Sequence, residues 1–168
     1  MMVLQSALML VFPALVVTAA LRDVTSYTIP NWISLALIAA FVPAALVQGL
    51  PLPLAGQHLA VGVAALLAGM VMFALGWIGG GDAKLFAAAG LWLGWPAALT
   101  FVVVTAIAGG ALAVILLAAR NSILQPLLTT GPAWLGRLAT RGENVPYGAA
   151  ICVGALVAFP LSALAPVF

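Results

Sequence analysis

The chain of 168 residues is 66% hydrophobic and 5% charged, with five basic and three acidic residues and a formal net charge of +2. This composition excludes a water-soluble domain, because too much apolar surface would remain in contact with water. The single cysteine, Cys152, excludes a disulfide framework and a Cys-x-x-Cys zinc module. Five dispersed basic residues form no patch for nucleic acid, so we expect membrane lipids and not nucleic acid around the protein.

Apolar runs along the chain predict an all-α polytopic membrane protein, a single six-helix domain over residues 1–168. A bilayer core of roughly 30 Å takes about 20 helical residues to cross. Six spans are predicted, at 3–21, 32–50, 57–77, 83–95, 97–118 and 147–166. The fourth is short, and Trp95-Pro96 predicts a reversal after it instead of one long tilted helix.

The long connection over about 119–145 mixes basic and apolar residues between two proline breaks. This mixture is typical of a partly helical segment along the cytoplasmic membrane interface, although an ordinary linker would read the same way.

The basic residues predict the orientation, since Lys and Arg collect on the cytoplasmic side of short loops. If all five are cytoplasmic, the interval from Arg22 to Lys84 and the interval from Lys84 to Arg120 each contain two crossings. Both chain termini then lie outside. The three acidic residues fall on the same face as the basic ones.

Two of these acids, Asp23 and Asp82, stand at the ends of predicted spans. Each has a structural interpretation by itself: Asp82 as the N-cap of the fourth helix, and Asp23 as an interfacial charge beside Arg22. Together they suit acid–base hydrolysis of a peptide bond. Two carboxyl groups that share one proton can activate a water and protonate a carbonyl oxygen.

No other residues compete for a hydrolytic role. His58 is predicted at the outer surface, and Cys152 has no histidine partner. One histidine and three acids offer no ligand cluster, so neither a metal nor another cofactor is expected.

Glycines surround the second aspartate. Gly79, Gly80 and Gly81 can take positive φ and let the backbone of an extended substrate pass beside Asp82, although a simple turn also favours glycine. A seven-residue stripe of glycines in the third span predicts close helix packing; its members are Gly62, Gly69 and Gly76.

Three motifs resemble those of type IV prepilin peptidases, membrane aspartic proteases of the Gly-x-Gly-Asp type. Asp23 is separated from Pro30-Asn31 by six residues, the second motif ends at Asp82, and "NVPYGAA" resembles the entry to that family's last helix. The likeness is greatest to the short tight-adherence form that processes Flp-like pilins, and to the related archaeal preflagellin peptidases. The larger, methylating relatives carry an additional N-terminal region with paired cysteines.

The resemblance implies that Asp23 and Asp82 are the catalytic pair. It also implies a prepilin partner in the bacterial inner membrane, with a short basic leader cut after a glycine at the cytoplasmic edge of its hydrophobic helix. Peptidase activity without methyltransferase activity is expected. The alternative function is a small proton-coupled transporter that uses the buried acids as a relay.

Several other polar residues each have more than one possible role. Lys84 either keeps Asp82 ionised, meets an acidic residue of the substrate, or anchors the chain at the membrane surface. The side chains of Tyr27, Asn31 and Tyr147 either line the site through hydrogen bonds or cap local structure, and Pro30 belongs to the first motif. Glu143 and Arg141 either receive the leader or lie in a solvated loop.

Overall fold

The computed structural model describes residues 2–121, 131–140 and 143–165, and its elements are helical, as predicted. We number the described α-helices in chain order: α1 (Met2–Ser26), α2 (Asn31–Val47), α3 (Leu52–Ala74), α4 (Gly80–Leu93), α5 (Ala97–Arg120), α6 (Ala133–Ala139) and α7 (Tyr147–Ala158). A 3-10 turn, Phe159–Leu161, follows α7.

Among the described residues, three segments are long and apolar enough to cross a membrane: Ala7–Ser26, Leu52–Ala74 and Ala97–Arg120. Two further apolar segments, Asn31–Val47 and Tyr147–Leu161, are shorter. Six of the helices occupy the positions of the six predicted spans, and three of these six have both the length and the hydropathy typical of a membrane-spanning helix. The predicted end of the last span, residue 166, is wrong, because the α-helix stops at Ala158 and Pro160 lies in the 3-10 turn.

The chain reverses between α4 and α5, which confirms two helices in place of one long tilted helix. Gly94 ends α4 with φ +62°, a conformation that favours glycine. On either side of the reversal, the rings of Phe86 and Phe101 stack with their centroids 4.7 Å apart. This ring pair joins the two helices close to the reversal.

Helix α4 lies at the centre of the bundle, with most of its residues buried. Its close packing against α3 depends on glycine, since a Cβ atom at Gly62 would lie 3.0 Å from the Leu91 Cβ, and one at Gly69 would lie 3.1 Å from the Ala83 Cα. These contacts confirm the predicted packing role at two positions of the stripe. Gly76 instead lies beyond the end of α3, with φ +74° and open space around it.

Helix α7 packs into the bundle between α1 and α5. A Cβ atom at Gly109 of α5 would lie 3.0 Å from the Tyr147 ring, and one at Gly154 of α7 would lie 2.1 Å from the Thr105 Oγ1. The two helices thus meet through glycines that let their backbones approach, and this contact fixes the start of α7 beside α1.

The connection over 119–145 contains the short helix α6, which confirms that it is partly helical. Trp134 in this helix is exposed. Residues 122–130, with most of the segment's aliphatic side chains, lie outside the described residues. Its location at the membrane interface stays a prediction.

Candidate active site

Asp23 lies in the last turn of α1 and is buried, at 5% exposure. Its Oδ2 accepts a hydrogen bond of 2.7 Å from the backbone N–H of Gly148, 125 residues further along the chain. Gly148 is the second residue of α7, so the carboxyl group meets the positive end of a helix dipole. A Cβ atom at residue 148 would lie 2.8 Å from this oxygen, so the contact leaves no room for a side chain there.

Asp82 lies in the first turn of α4 and is also buried, at 8% exposure. The predicted N-cap position is wrong: the N-cap is Gly79, and Asp82 is three residues inside, at N3. From there its Oδ2 reaches back and accepts the Gly79 N–H at 3.0 Å, as the acidic partner of a capping box does. Its Oδ1 is buried and has no hydrogen-bond partner among the described residues. A buried carboxyl oxygen without a hydrogen-bond partner lowers the stability of the fold, which marks Asp82 as a functional candidate.

The two aspartates line one cavity of about 250 Å³. The remaining lining comes from two short segments, Tyr27–Thr28–Ile29 and Gly79–Gly80–Gly81. Because a water molecule takes up about 30 Å³ in the liquid, the cavity has room for several waters beside both carboxyl groups. The structure therefore brings the predicted catalytic pair to one end of the bundle.

The three glycines line the cavity, but the expectation of positive φ is wrong. The positive-φ glycines of the described chain are Gly49, Gly76 and Gly94. Helix α4 begins at Gly80, earlier than predicted, so two of the three glycines already belong to its first turn. The segment that packs closely against Gly81 is the chain's own turn after α1 and not a substrate, since a Cβ atom at residue 81 would lie 3.0 Å from the Cβ of Ile29.

Tyr27 lies in the turn after α1 and lines the cavity. It takes φ +54°, which is uncommon for a residue with a side chain, and its N–H donates to the Asp23 carbonyl at 2.7 Å. Burial raises the pKa of its phenol above the ordinary value, and the nearby Arg120 guanidinium opposes this effect. The phenol therefore stays neutral and can donate a hydrogen bond at neutral pH.

The other predicted supporting residues lie outside the cavity lining. Lys84 donates to the Asn31 Oδ1 at 2.8 Å, and both side chains are exposed. Pro30 is the N-cap of α2, and the Tyr147 ring packs against Gly109. Glu143 is exposed, and Arg141 lies outside the described residues.

The sequence analysis missed four residues at or near the site. Thr28 and Ile29 line the cavity. Gly148 donates to the Asp23 carboxyl group, and the charge pattern related Arg120 only to membrane orientation. Gly148 does fall within the "NVPYGAA" motif, which is the one signal that pointed toward it. Its role depends on a contact between distant helices, which no local pattern reports.

Comparison with protein families identifies the chain over its N-terminal part. The type IV leader peptidase family matches residues 10–114, more than half of the chain and a range that includes both aspartates. Searches of curated proteins and of solved structures gave no match. The chain belongs to the type IV leader peptidase family, and so to a family of proteases.

Proposed function

We propose that the chain is an aspartic endopeptidase that removes the leader peptide of type IV or Flp-like prepilins. The observation that carries the proposal is the cavity that Asp23 and Asp82 share, with the Oδ1 of Asp82 buried and without a partner. Two carboxyl groups that line one small cavity favour holding a single proton between them, because two negative charges at close range are costly. That protonation state is the one that acid–base hydrolysis needs.

The reaction starts from one protonated and one ionised carboxyl group. The ionised group takes a proton from a water in the cavity while the water oxygen attacks the carbonyl carbon of the scissile peptide bond. The protonated group gives its proton to the carbonyl oxygen, and a tetrahedral diol forms. When the diol collapses, the C–N bond breaks and the leaving amine takes a proton from one carboxyl group. A diol hydroxyl gives its proton to the other carboxyl group, so the pair again holds one proton.

The backbone donors on the two carboxyl groups support this assignment. The Gly148 N–H and the Gly79 N–H each bind one oxygen of their aspartate, Asp23 and Asp82 respectively, and so fix its orientation. A fixed orientation matters because the reacting atoms must meet at about 3–3.5 Å.

For the orientation in the membrane, we infer six crossings with the site at the cytoplasmic face. Arg22 adjoins Asp23, Lys84 follows Asp82 by two residues, and Arg120 lies near Tyr27. These three basic residues thus gather at the same end of the bundle as the catalytic pair, and positive charge marks the cytoplasmic end. A substrate with a basic leader and an apolar helix would meet the site at that boundary.

The transporter alternative gains no support. A proton relay through the membrane uses carboxyl groups near the bilayer midplane. Asp23 and Asp82 instead lie in the last turn of α1 and the first turn of α4.

The proposal is tested by co-expression with a chimeric substrate that has a short basic leader, a terminal leader glycine and an apolar helix of about 20 residues. Leader loss is followed by gel shift and mass spectrometry. Asp23→Asn and Asp82→Asn should each lower cleavage at least about 10³-fold. Both variants should accumulate in the membrane at wild-type levels, since the amide has the shape of the carboxyl group. Near-normal cleavage by either variant would remove that residue from the mechanism.

A further inference from the structure

Arg120, the last residue of α5, is buried at 6% exposure, although it carries a permanent positive charge. Its guanidinium donates to three backbone carbonyls: Leu138 O at 2.8 Å, Glu143 O at 2.7 Å and Asn144 O at 3.0 Å. A buried charge is tolerated where hydrogen bonds satisfy it, and the rigid fork of arginine suits several acceptors at once. Arg120 thus ties the end of α6 and the entry to α7 to the end of α5.

The hydrogen bonds of Arg120 lie close in sequence to the contact that orients Asp23. Arg120 donates to the Asn144 carbonyl, and Gly148, four residues later, donates to the Asp23 Oδ2. Between them, Pro146 is buried and Tyr147 packs against Gly109, which lies about three turns before Arg120 on the same helix. Helix α5 therefore fixes the start of α7 at two points, and α7 in turn holds the aspartate.

The same guanidinium also lies near the hydroxyl of Tyr27. Tyr27 lines the catalytic cavity, and its N–H donates to the Asp23 carbonyl. Arg120 therefore lies next to the two segments that donate hydrogen bonds to Asp23: the turn after α1 and the entry to α7.

We propose that Arg120 is a positioning residue, which aligns Asp23 by fastening the α7 entry so that the Gly148 N–H meets the carboxyl group. The inference rests on the proposed function, since it assigns Asp23 a part in catalysis. Arg120 lies outside the cavity lining, so we expect it to act on the orientation of Asp23 and not on the binding of the substrate.

Steady-state kinetics on the purified full-length protein in detergent test the proposal. Arg120→Gln should lower kcat about 100-fold, the effect expected of a misplacement near 1 Å, while KM stays within threefold. Arg120→Lys should lose about tenfold, because an ammonium group cannot fork between carbonyls on separate segments. Arg137→Gln is the matched control, since it removes an equally charged but exposed side chain from α6 and should keep kcat within twofold.

Hydrogen exchange tests the alignment without relying on cleavage. The Gly148 amide should exchange at least tenfold faster in Arg120→Gln than in wild type or Arg137→Gln, with the amides of α1 and α4 unchanged. If the wild-type protein cleaved no prepilin, this measurement would still show whether Arg120 sets the Gly148 contact. The two proposals can therefore fail separately.

Three outcomes would overturn the inference: a kcat of folded Arg120→Gln within threefold of wild type, unchanged exchange at Gly148, or faster exchange across α1 and α4 as well. The last would show a general structural role. If Arg120→Gln does not accumulate as folded protein, Arg120→Lys is judged by the same criteria, with a threshold of threefold in both kcat and exchange.

Discussion

The two aspartates of the candidate site are held in different ways. Asp82 accepts a hydrogen bond from Gly79, three residues before it, at the start of its own helix. Asp23 accepts one from Gly148, 125 residues away on another helix. The first arrangement forms as soon as α4 forms, whereas the second exists only when α1, α5 and α7 are packed together.

The difference shows which half of the site is vulnerable to distant changes. Substitutions that disturb helix packing should misplace Asp23 and leave Asp82 in place. The two halves also meet directly, because Ile29 lies beside both Gly81 and Gly148. The first two predictions below disturb the distant half and the contact between the halves, and the last two concern neighbouring residues that hold neither aspartate.

Gly148→Ala should have the largest effect, because it strikes the distant contact. The new Cβ would lie 2.8 Å from the Asp23 Oδ2 and 2.9 Å from the Ile29 Cδ1, so either α7 or α1 must shift. We expect a loss of at least about 100-fold in kcat and a destabilisation of about 1–3 kcal/mol from overpacking. Cleavage kinetics and thermal unfolding in detergent measure the two effects.

The matched control for this variant is Gly110→Ala, on α5. A Cβ atom there meets nothing within 4 Å, so activity should be unchanged and helix stability slightly higher. Equal behaviour of the two alanine variants would contradict the role given to Gly148.

Gly81→Ala should have the next largest effect, at the contact between the two halves. Its Cβ would lie 3.0 Å from the Ile29 Cβ and 3.2 Å from the Ile29 carbonyl oxygen, so the turn after α1 must move away from α4. We expect kcat to fall about 10- to 50-fold, since the two carboxyl groups would separate slightly. Wild-type kcat in this variant would show that the turn yields without moving Asp23.

The local half of the site could largely be predicted from the sequence. A run of glycines before an acid at the start of an apolar helix indicates a helix N-terminus, and the aspartate differs from that expectation only by lying at N3. The predicted start of this helix was too late, because the interpretation left Gly80 and Gly81 free for the approach of the substrate. In the folded chain, packing against Phe73 and Ile29 places them within α4.

The distant half could be predicted only in part. The spacing from Asp23 to Pro30-Asn31 and the motif before the last helix pointed to the right residues, through a resemblance and not through physics. No sequence pattern showed that Gly148 would contact Asp23, or that Arg120 would be buried. A basic residue at the end of a span is already explained by membrane orientation. The sequence therefore carries no separate signal that this arginine is buried and hydrogen-bonded.

Gly80→Ala tests whether the glycines also serve the substrate. A Cβ atom there would meet the Phe73 ring at 3.5 Å, an ordinary contact, so thermal stability should not fall. If an extended substrate passes beside α4, the methyl group should obstruct it and raise KM about five- to tenfold with little change in kcat. An unchanged KM would leave Gly80 with a packing role alone.

Asn31→Ala should have the smallest effect, although Asn31 belongs to the motif that carries the resemblance. Its side chain accepts a hydrogen bond from Lys84 between α2 and α4, but both groups are exposed and lie outside the cavity lining. Exposed polar pairs contribute about 0–1 kcal/mol, so we expect a small change in thermal stability and a kcat/KM within threefold of wild type. A loss of tenfold or more would show that the pair acts on the substrate, and comparison with Lys84→Gln would then show which of the two side chains makes that contact.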